Sequence, residues 1–472
     1  MTRAFRIPLV AGVAGLALAI LAAPVGADGG IAAMATTVQI PAQQTSPAPA
    51  HFESAVAITA APNTSPATVL AAQARIARLL PARLRSRRVA PYLGSNVSVR
   101  VEDALTGHVV WSRSSTLGKL PASNMKLITA ATVLQTFGPA HRWVTKVVSR
   151  SGAQDLVLIA GGDPLLTSTD LDSLAARTAE ALLPPPGPST TPTPTPVPVA
   201  YTLHFDDTMF APPSLATGWS RSQVPNTIRP VRALVRDRRV LNDTGADAAA
   251  FFSARLRAHG LNVTYRGRIA SPSSTKLLPI VATLTGHSVL ESVRRMLMYS
   301  DNNVAEMLLR DAAVGRGRAG SWLGGRQAIA AALTRLGVIR TGLRTYDGSG
   351  LSRSDRVPAR VFTAILRAAV TPVNSTIRVL FAGSVLPVAG ISGTLESRSG
   401  RFNTAPSKCA RGLIWAKTGS LHDVIGLSGY ARGRDGHIRV FSILVNARPQ
   451  RYAILSARRG LDRIAATITG CW

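Results

Sequence analysis

The sequence predicts an α+β fold, with an antiparallel sheet flanked by helices. Three observations carry this reading. Strands cluster late in the chain, helical apolar spacing stands near both ends, and the chain lacks the regular strand–helix alternation of a doubly wound sheet. Thr68–Leu80 has helical spacing. Val97–Glu102 and Val109–Ser112 alternate around Thr106-Gly107, a hairpin signal. Leu127–Phe137 reads as a buried helix, and Leu156–Ala160 as a strand entering the turn Gly161-Gly162-Asp163-Pro164. Gly412–Ala416, Ile425–Ala431 and Ile438–Val445 read as successive antiparallel strands, followed by a helix over Arg451–Thr467.

At 472 residues the chain has room for two or three domains and a sizeable core. A hydrophobic content of 46% excludes a disordered polyelectrolyte. One apolar run approaches membrane-span length, which excludes a polytopic transporter. Two cysteines exclude a disulfide-dense scaffold and a four-cysteine zinc site. The balance of 54 Lys+Arg against 24 Asp+Glu gives a net charge of +30, carried almost wholly by scattered arginines. Such a chain adheres to polyanions such as anionic lipid or wall polymer, but scatter without a basic tract predicts no specific nucleic-acid partner.

Met1-Thr2-Arg3-Ala4-Phe5-Arg6, the apolar run Ile7–Ala23 and Val25-Gly26-Ala27 have the pattern of an export signal over residues 1–27. The segment is either cleaved after Ala27 or kept as an anchor; both place the remainder outside the cytoplasm. In an oxidising compartment Cys409 and Cys471 either pair or remain as two thiols. Residues 28–66, rich in Ala, Thr, Pro and Gln, read as a linker. The Pro/Thr tract 184–199 can form neither helix nor central strand and reads as an extended loop.

Three short motifs can carry chemistry. In Pro121-Ala122-Ser123-Asn124-Met125-Lys126, Ser123 and Lys126 are three apart and share one helix face. A serine hydroxyl needs a base to become a nucleophile, and lysine serves only with a depressed pKa. The bland alternative is a capping serine. A second S-x-x-K, Ser273 to Lys276, lies in a Ser/Pro-rich loop without a following helix. Ser300-Asp301-Asn302 stands at a break between two helical runs, where an ordinary polar turn would also fit. Lys417-Thr418-Gly419-Ser420 ends a strand; alternation puts Lys417 and Gly419 on one face, Thr418 and Ser420 on the other. Glycine there admits close approach to the backbone, and lysine with hydroxyls can hold a carboxylate.

Singly each motif is weak; the ordered set matches the S-x-x-K, S-D-N and K-T-G signature of penicillin-recognising serine acyltransferases. Further blocks resemble one branch, the PBP4-type D-alanyl-D-alanine carboxypeptidases/endopeptidases (class C low-molecular-mass penicillin-binding proteins, serine peptidase family S13). These are Pro121–Lys126 with Thr129-Ala130, Leu158–Pro164, Phe205-Asp206-Asp207-Thr208 with Phe210, Asp347–Arg353, Gly390–Leu395 and Ala416–Leu421. The resemblance covers roughly Ala67 to Trp472. It implies a transpeptidase-like domain of residues 67–145 and 284–472, with an accessory region inserted at 146–283. The long gap between Ser123 and Ser300 agrees with an insertion and not with a compact β-lactamase. The insertion is shorter than in the larger members, and Ser420 stands where the family more often has threonine.

The resemblance implies that Ser123 attacks the carbonyl between two D-alanines of a peptidoglycan stem peptide while Lys126 takes its proton. Lys417 would help keep Lys126 neutral, and Ser300 would relay a proton to the departing D-alanine. The Ser123 and Ser420 backbone N–H groups would form the oxyanion hole. Asn302 would hold the acyl-side amide, and Lys417, Thr418, Gly419 and Ser420 would line the carboxylate subsite. No metal or organic cofactor enters. β-Lactams would acylate Ser123 as covalent inhibitors. Trimming stem ends and cutting cross-bridges use the same residues. A homologue that keeps the site but acts chiefly as a wall-binding scaffold is the alternative.

Overall fold

The computed structural model describes residues 65–150, 154–183, 199–269, 278–381 and 385–472. The expected export signal, nearly all of the linker, the Pro/Thr tract up to residue 198 and the Ser273–Lys276 pair lie outside these residues.

Helix α1 (Pro66–Arg85) starts where the linker was expected to end, because Ser65 caps it by accepting from the Thr68 N–H and Pro66 suits its first position. It continues through Pro81, five residues beyond the expected Leu80. A single turn, α2 (Ala90–Leu93), leads into the hairpin β1 (Val97–Asp103) and β2 (Val109–Arg113). A 3-10 turn over Ala122–Asn124 feeds α3 (Met125–Phe137), of which the first ten residues are buried. Then come β3 (Arg142–Ser149), β4 (Asp155–Ile159), α4 (Ser168–Leu182), β5 (Ala200–Asp206), α5 (Thr244–Ala258), β6 (Asn262–Arg268) and β7 (Ile280–Ser288). Four helices follow: α6 (Val289–Tyr299), α7 (Asn302–Val314), α8 (Trp322–Arg335) and α9 (Ala359–Val370). The chain finishes with β8 (Ile414–Ser420), β9 (Ile425–Arg432), β10 (Ile438–Val445) and α10 (Ile454–Ile468).

The strands form two sheets, ordered β2-β1-β10-β9-β8 and β6-β5-β4-β3-β7. The first is antiparallel throughout and joins the two ends of the described chain, Val97 pairing with Val445 and Ser420 with Ile425. Every residue of β10 is buried. Phe441, Ile443 and Val445 join a core with Leu80 of α1 and Ile464 of α10, while Val440 and Leu444 face Phe362 and Ile365 of α9. Burial on both faces explains its unbroken apolar reading.

The second sheet is mixed: β4-β5 and β5-β6 are parallel, joined across α4 and α5, and β3 pairs antiparallel with both β4 and the edge strand β7. Its strands span Arg142 to Ser288, slightly wider than the 146–283 expected for the accessory region. Its own core includes Leu158, Leu174, Phe205 and Phe252. Among the described residues no helix is long and apolar enough to cross a membrane. Cys409 and Cys471 are disulfide-bonded, with Cα atoms 6.3 Å apart, and tie the residues after α10 to the segment before β8.

Candidate active site

Three elements converge on one cleft of about 260 Å³: the turn before α3, the α6–α7 junction and strand β8. Ser123, Ser300, Thr418 and Ser420 line it.

The serine at the start of α3 is set by backbone geometry. Ala122 just before it has φ 45°, a left-handed conformation that alanine rarely adopts. Gly350 presses on that residue from the facing loop: a Cβ there would lie 1.9 Å from the Ala122 carbonyl oxygen, and its φ is +82°. Gly350→Ala should therefore displace Ser123, costing about 1–3 kcal/mol of stability and most of any penicillin acylation. Thermal melts and acylation rates check this; wild-type rates in the variant would refute the packing argument.

Lys126, the second residue of α3 and one turn past Ser123, is fully buried. Its Nζ donates to Ser123 Oγ (3.0 Å), Asn302 Oδ1 (2.8 Å) and the Ser349 carbonyl (2.9 Å). Burial brings its pKa down to about 8, with Glu306, Asp347 and Asp301 opposing a larger drop. The sequence reading has Lys417 help keep Lys126 neutral, and repulsion between two neighbouring ammonium groups acts on both. Burial, and then the charge of Lys126, hold Lys417 well below its ordinary value.

The carboxylates behind Lys126 belong to a scaffold that the sequence reading missed as part of the site. Glu306, buried on α7 one turn after Asn302, accepts from the Gly348 and Ser349 N–H groups at 2.8 and 2.7 Å. Asp347 accepts from the N–H groups of Gly350 and Ser352 and from the Trp219 indole. Thr129 donates to the Gly348 carbonyl at 2.6 Å. These bonds fix the Asp347–Arg353 block so that the Ser349 carbonyl meets Lys126.

Ser300 ends α6 at φ 60°, ψ 35°, a left-handed cap that breaks the helical run. Asp301 then caps α7 by accepting from the Asn303 and Val304 N–H groups. The break between helices is thus a built turn that presents Ser300 and Asn302. Asn302 does not offer a free amide: besides accepting from Lys126, its Nδ2 donates to the Thr227 carbonyl at 3.0 Å.

Strand β8 runs through Ser420, four residues past the expected end at Ala416. Lys417 and Gly419 are buried, whereas Thr418 and Ser420 reach the cleft. The Lys417 ammonium does not line the cleft directly; it sits behind Ser300, donating to its Oγ at 2.9 Å and to the Thr418 carbonyl at 2.8 Å. Gly419 is required because a Cβ would lie 2.5 Å from Asn124 Nδ2 and 2.9 Å from the Pro121 carbonyl oxygen. Thr418 donates to Thr394, on the Gly390–Leu395 segment, at 2.8 Å.

Two arginines that the sequence reading missed also line the cleft, Arg401 and Arg458. Arg401 is paired with Asp462 of α10 through contacts of 2.6 to 3.1 Å, and both side chains are almost fully buried. Asp462 also accepts from the Phe402 N–H. Asp462→Ala would strand a buried cation, so we expect a loss of about 3–5 kcal/mol in urea unfolding. A shift within about 1 kcal/mol would show that water solvates Arg401. No local pattern marks these arginines, since their roles depend on α10 folding back over the sheet.

The fold and this cleft define a penicillin-recognising serine acyltransferase, with a serine and a buried lysine facing a second serine and lysine across a strand rich in hydroxyls. The chain belongs to the D-Ala-D-Ala carboxypeptidase 3 (S13) family, which it matches over residues 80–238 and 224–468. It is similar to Carboxypeptidase DacB of Mycolicibacterium smegmatis, 27% identical over 460 residues covering 94% of this chain and 96% of the relative. It is also similar to the D-alanyl-D-alanine carboxypeptidase of Actinomadura sp., 29% identical over 482 residues covering 81% and 85%. The fold is similar to the crystal structure of penicillin binding protein 4 (dacB) from Haemophilus influenzae, with a TM-score of 0.68 at 19% identity. That match covers 81% of this chain and 98% of the other. The chain is a serine-type D-Ala-D-Ala carboxypeptidase.

Proposed function

We propose that Ser123 is the nucleophile that takes up the acyl half of a peptidoglycan stem peptide ending in D-Ala-D-Ala, and that Lys126 is its base. The observation that carries this is the 3.0 Å contact between Ser123 Oγ and a fully buried ammonium whose pKa is brought down to about 8. A lysine so depressed is neutral in a useful fraction of molecules near neutral pH. When Lys126 removes the Ser123 proton, Oγ bonds to the scissile carbonyl carbon, and the N–H groups of Ser123 and Ser420 receive the oxyanion. The carbon–nitrogen bond then breaks; Ser300 passes its proton to the leaving amine and regains one from Lys126, which took it from Ser123, while Lys417 supports Ser300 at 2.9 Å. Water hydrolyses the ester on Ser123 and restores the enzyme.

Thr418 and Ser420 face the carboxylate end of the substrate, with Lys417 acting on it through Ser300. Asn302 orients Lys126 as well as any substrate amide, because its Oδ1 already accepts from that lysine. β-Lactams enter the same path and stop at the ester. Residues 1–27 would export the chain, and the net charge of +30 would hold it loosely to anionic wall polymer.

Intact-mass spectrometry of the full chain with benzylpenicillin should give one adduct, mapped to the peptide containing Ser123. Muropeptides ending in D-Ala-D-Ala should then release D-alanine. Well-folded protein without an adduct would remove the acyl-transfer reading and leave a wall-binding scaffold.

A further inference from the structure

Of the two arginines in the cleft, only one is neutralised. Arg401 is held by Asp462 through a buried ion pair. Arg458, half-buried on the same helix as Asp462, has no carboxylate at ion-pair distance among the described residues. Its Nε and an Nη atom both point at Ser420 Oγ, at 3.3 and 3.1 Å. Each of these contacts is with a neutral hydroxyl. Burial, and then the charges of Arg401 and Arg448, hold the pKa of Arg458 below the ordinary value, with Asp462 opposing them. The remaining cleft-lining groups beside it, Thr394, Ser399 and Thr418, bring hydroxyls and no acid. A partly desolvated guanidinium among hydroxyls, with no ion-pair partner among the described residues, has the donor chemistry that carboxylates bind.

We propose that Arg458 is the guanidinium that binds the carboxylate of the departing D-amino acid, and equally the ring carboxylate of a penicillin. The inference rests on the acyl-transfer reading of the cleft. Geometry supplies the reason: Ser420 offers its backbone N–H to the oxyanion and its Oγ to the carboxylate, so Arg458 adjoins both positions. A substrate carboxylate would accept from Arg458 and from the Thr418 and Ser420 hydroxyls. Binding would thereby select chains whose scissile nitrogen belongs to a free amino acid over those capped as amide or ester.

The test compares benzylpenicillin with its methyl ester as acylating agents of the full chain, in the unaltered protein, Arg458→Gln and Arg458→Lys. Acylation rate is read by intact mass. The unaltered protein should prefer the acid. Arg458→Gln should slow acylation by the acid about 10- to 100-fold and by the ester much less. Arg458→Lys should recover part of the preference for the acid. Equal slowing with both compounds would assign Arg458 a merely structural hold on Ser420, and no slowing with either would remove it from the site; each overturns the proposal while leaving the acyl-transfer reading intact. If the unaltered protein gains no mass from either compound, that reading fails and the proposal falls with it.

Discussion

Ser123→Ala should yield a folded protein that gains no penicilloyl mass and releases D-alanine about 10⁴–10⁶-fold more slowly. The loss is large because every later step depends on the ester that this oxygen forms. Stability should change little. The Ser123 hydroxyl lies at the cleft, and its side-chain partner among the described residues, Lys126, keeps Asn302 and the Ser349 carbonyl. A deleted hydrogen bond of this kind is worth about 1 kcal/mol. The measurement pairs intact mass with a thermal melt. An adduct on the variant would show that another residue is the nucleophile.

Activity should rise with pH through about 8, because Lys126 must be neutral to accept a proton and its pKa is brought down to about 8. The sign is fixed by the role: below that value the ammonium is charged and cannot act as base, and above it the amine is available. The acid limb of kcat/KM should therefore have a midpoint near 8. In Lys126→Met the limb should disappear and the rate fall about 10²–10⁴-fold, even where the fold survives. A profile flat between pH 6 and 9 in the unaltered enzyme would remove Lys126 as the titrating base.

Much of this site was legible because its three motifs are local. Ser123 and Lys126 share a helix face, Ser300 and Asn302 flank a helix break, and Thr418 and Ser420 alternate along a strand. Each relation is written in a few residues. What stayed hidden depends on distant packing. Glu306 and Asp347 look like ordinary acids until α7 and the following loop close behind Lys126. Arg458 is one of many arginines until α10 lies beside β8.

The fold was legible in the same way. The first hairpin and the last three strands follow clear alternation or unbroken apolar runs. The parallel pairing of β4, β5 and β6 was not anticipated, because parallel partners lie far apart in the chain and their order follows from the helices between them. Strand β8 outran its expected end because the Lys417–Ser420 segment looks polar, yet its backbone pairs with β9 through Ser420.

The central sheet also sets an order of events during translation. β10 is the last strand of the described chain and the middle strand of its sheet, between β1 and β9. A chain released from the ribosome before Ile438 would carry all three motifs and still lack the strand that joins the first hairpin to β8 and β9. The edge of β1 would stay open, inviting association with other chains. Such non-local pairing slows folding, and it couples catalysis to complete synthesis. A prematurely terminated product would hold Ser123 and Lys126 without the sheet that completes the cleft.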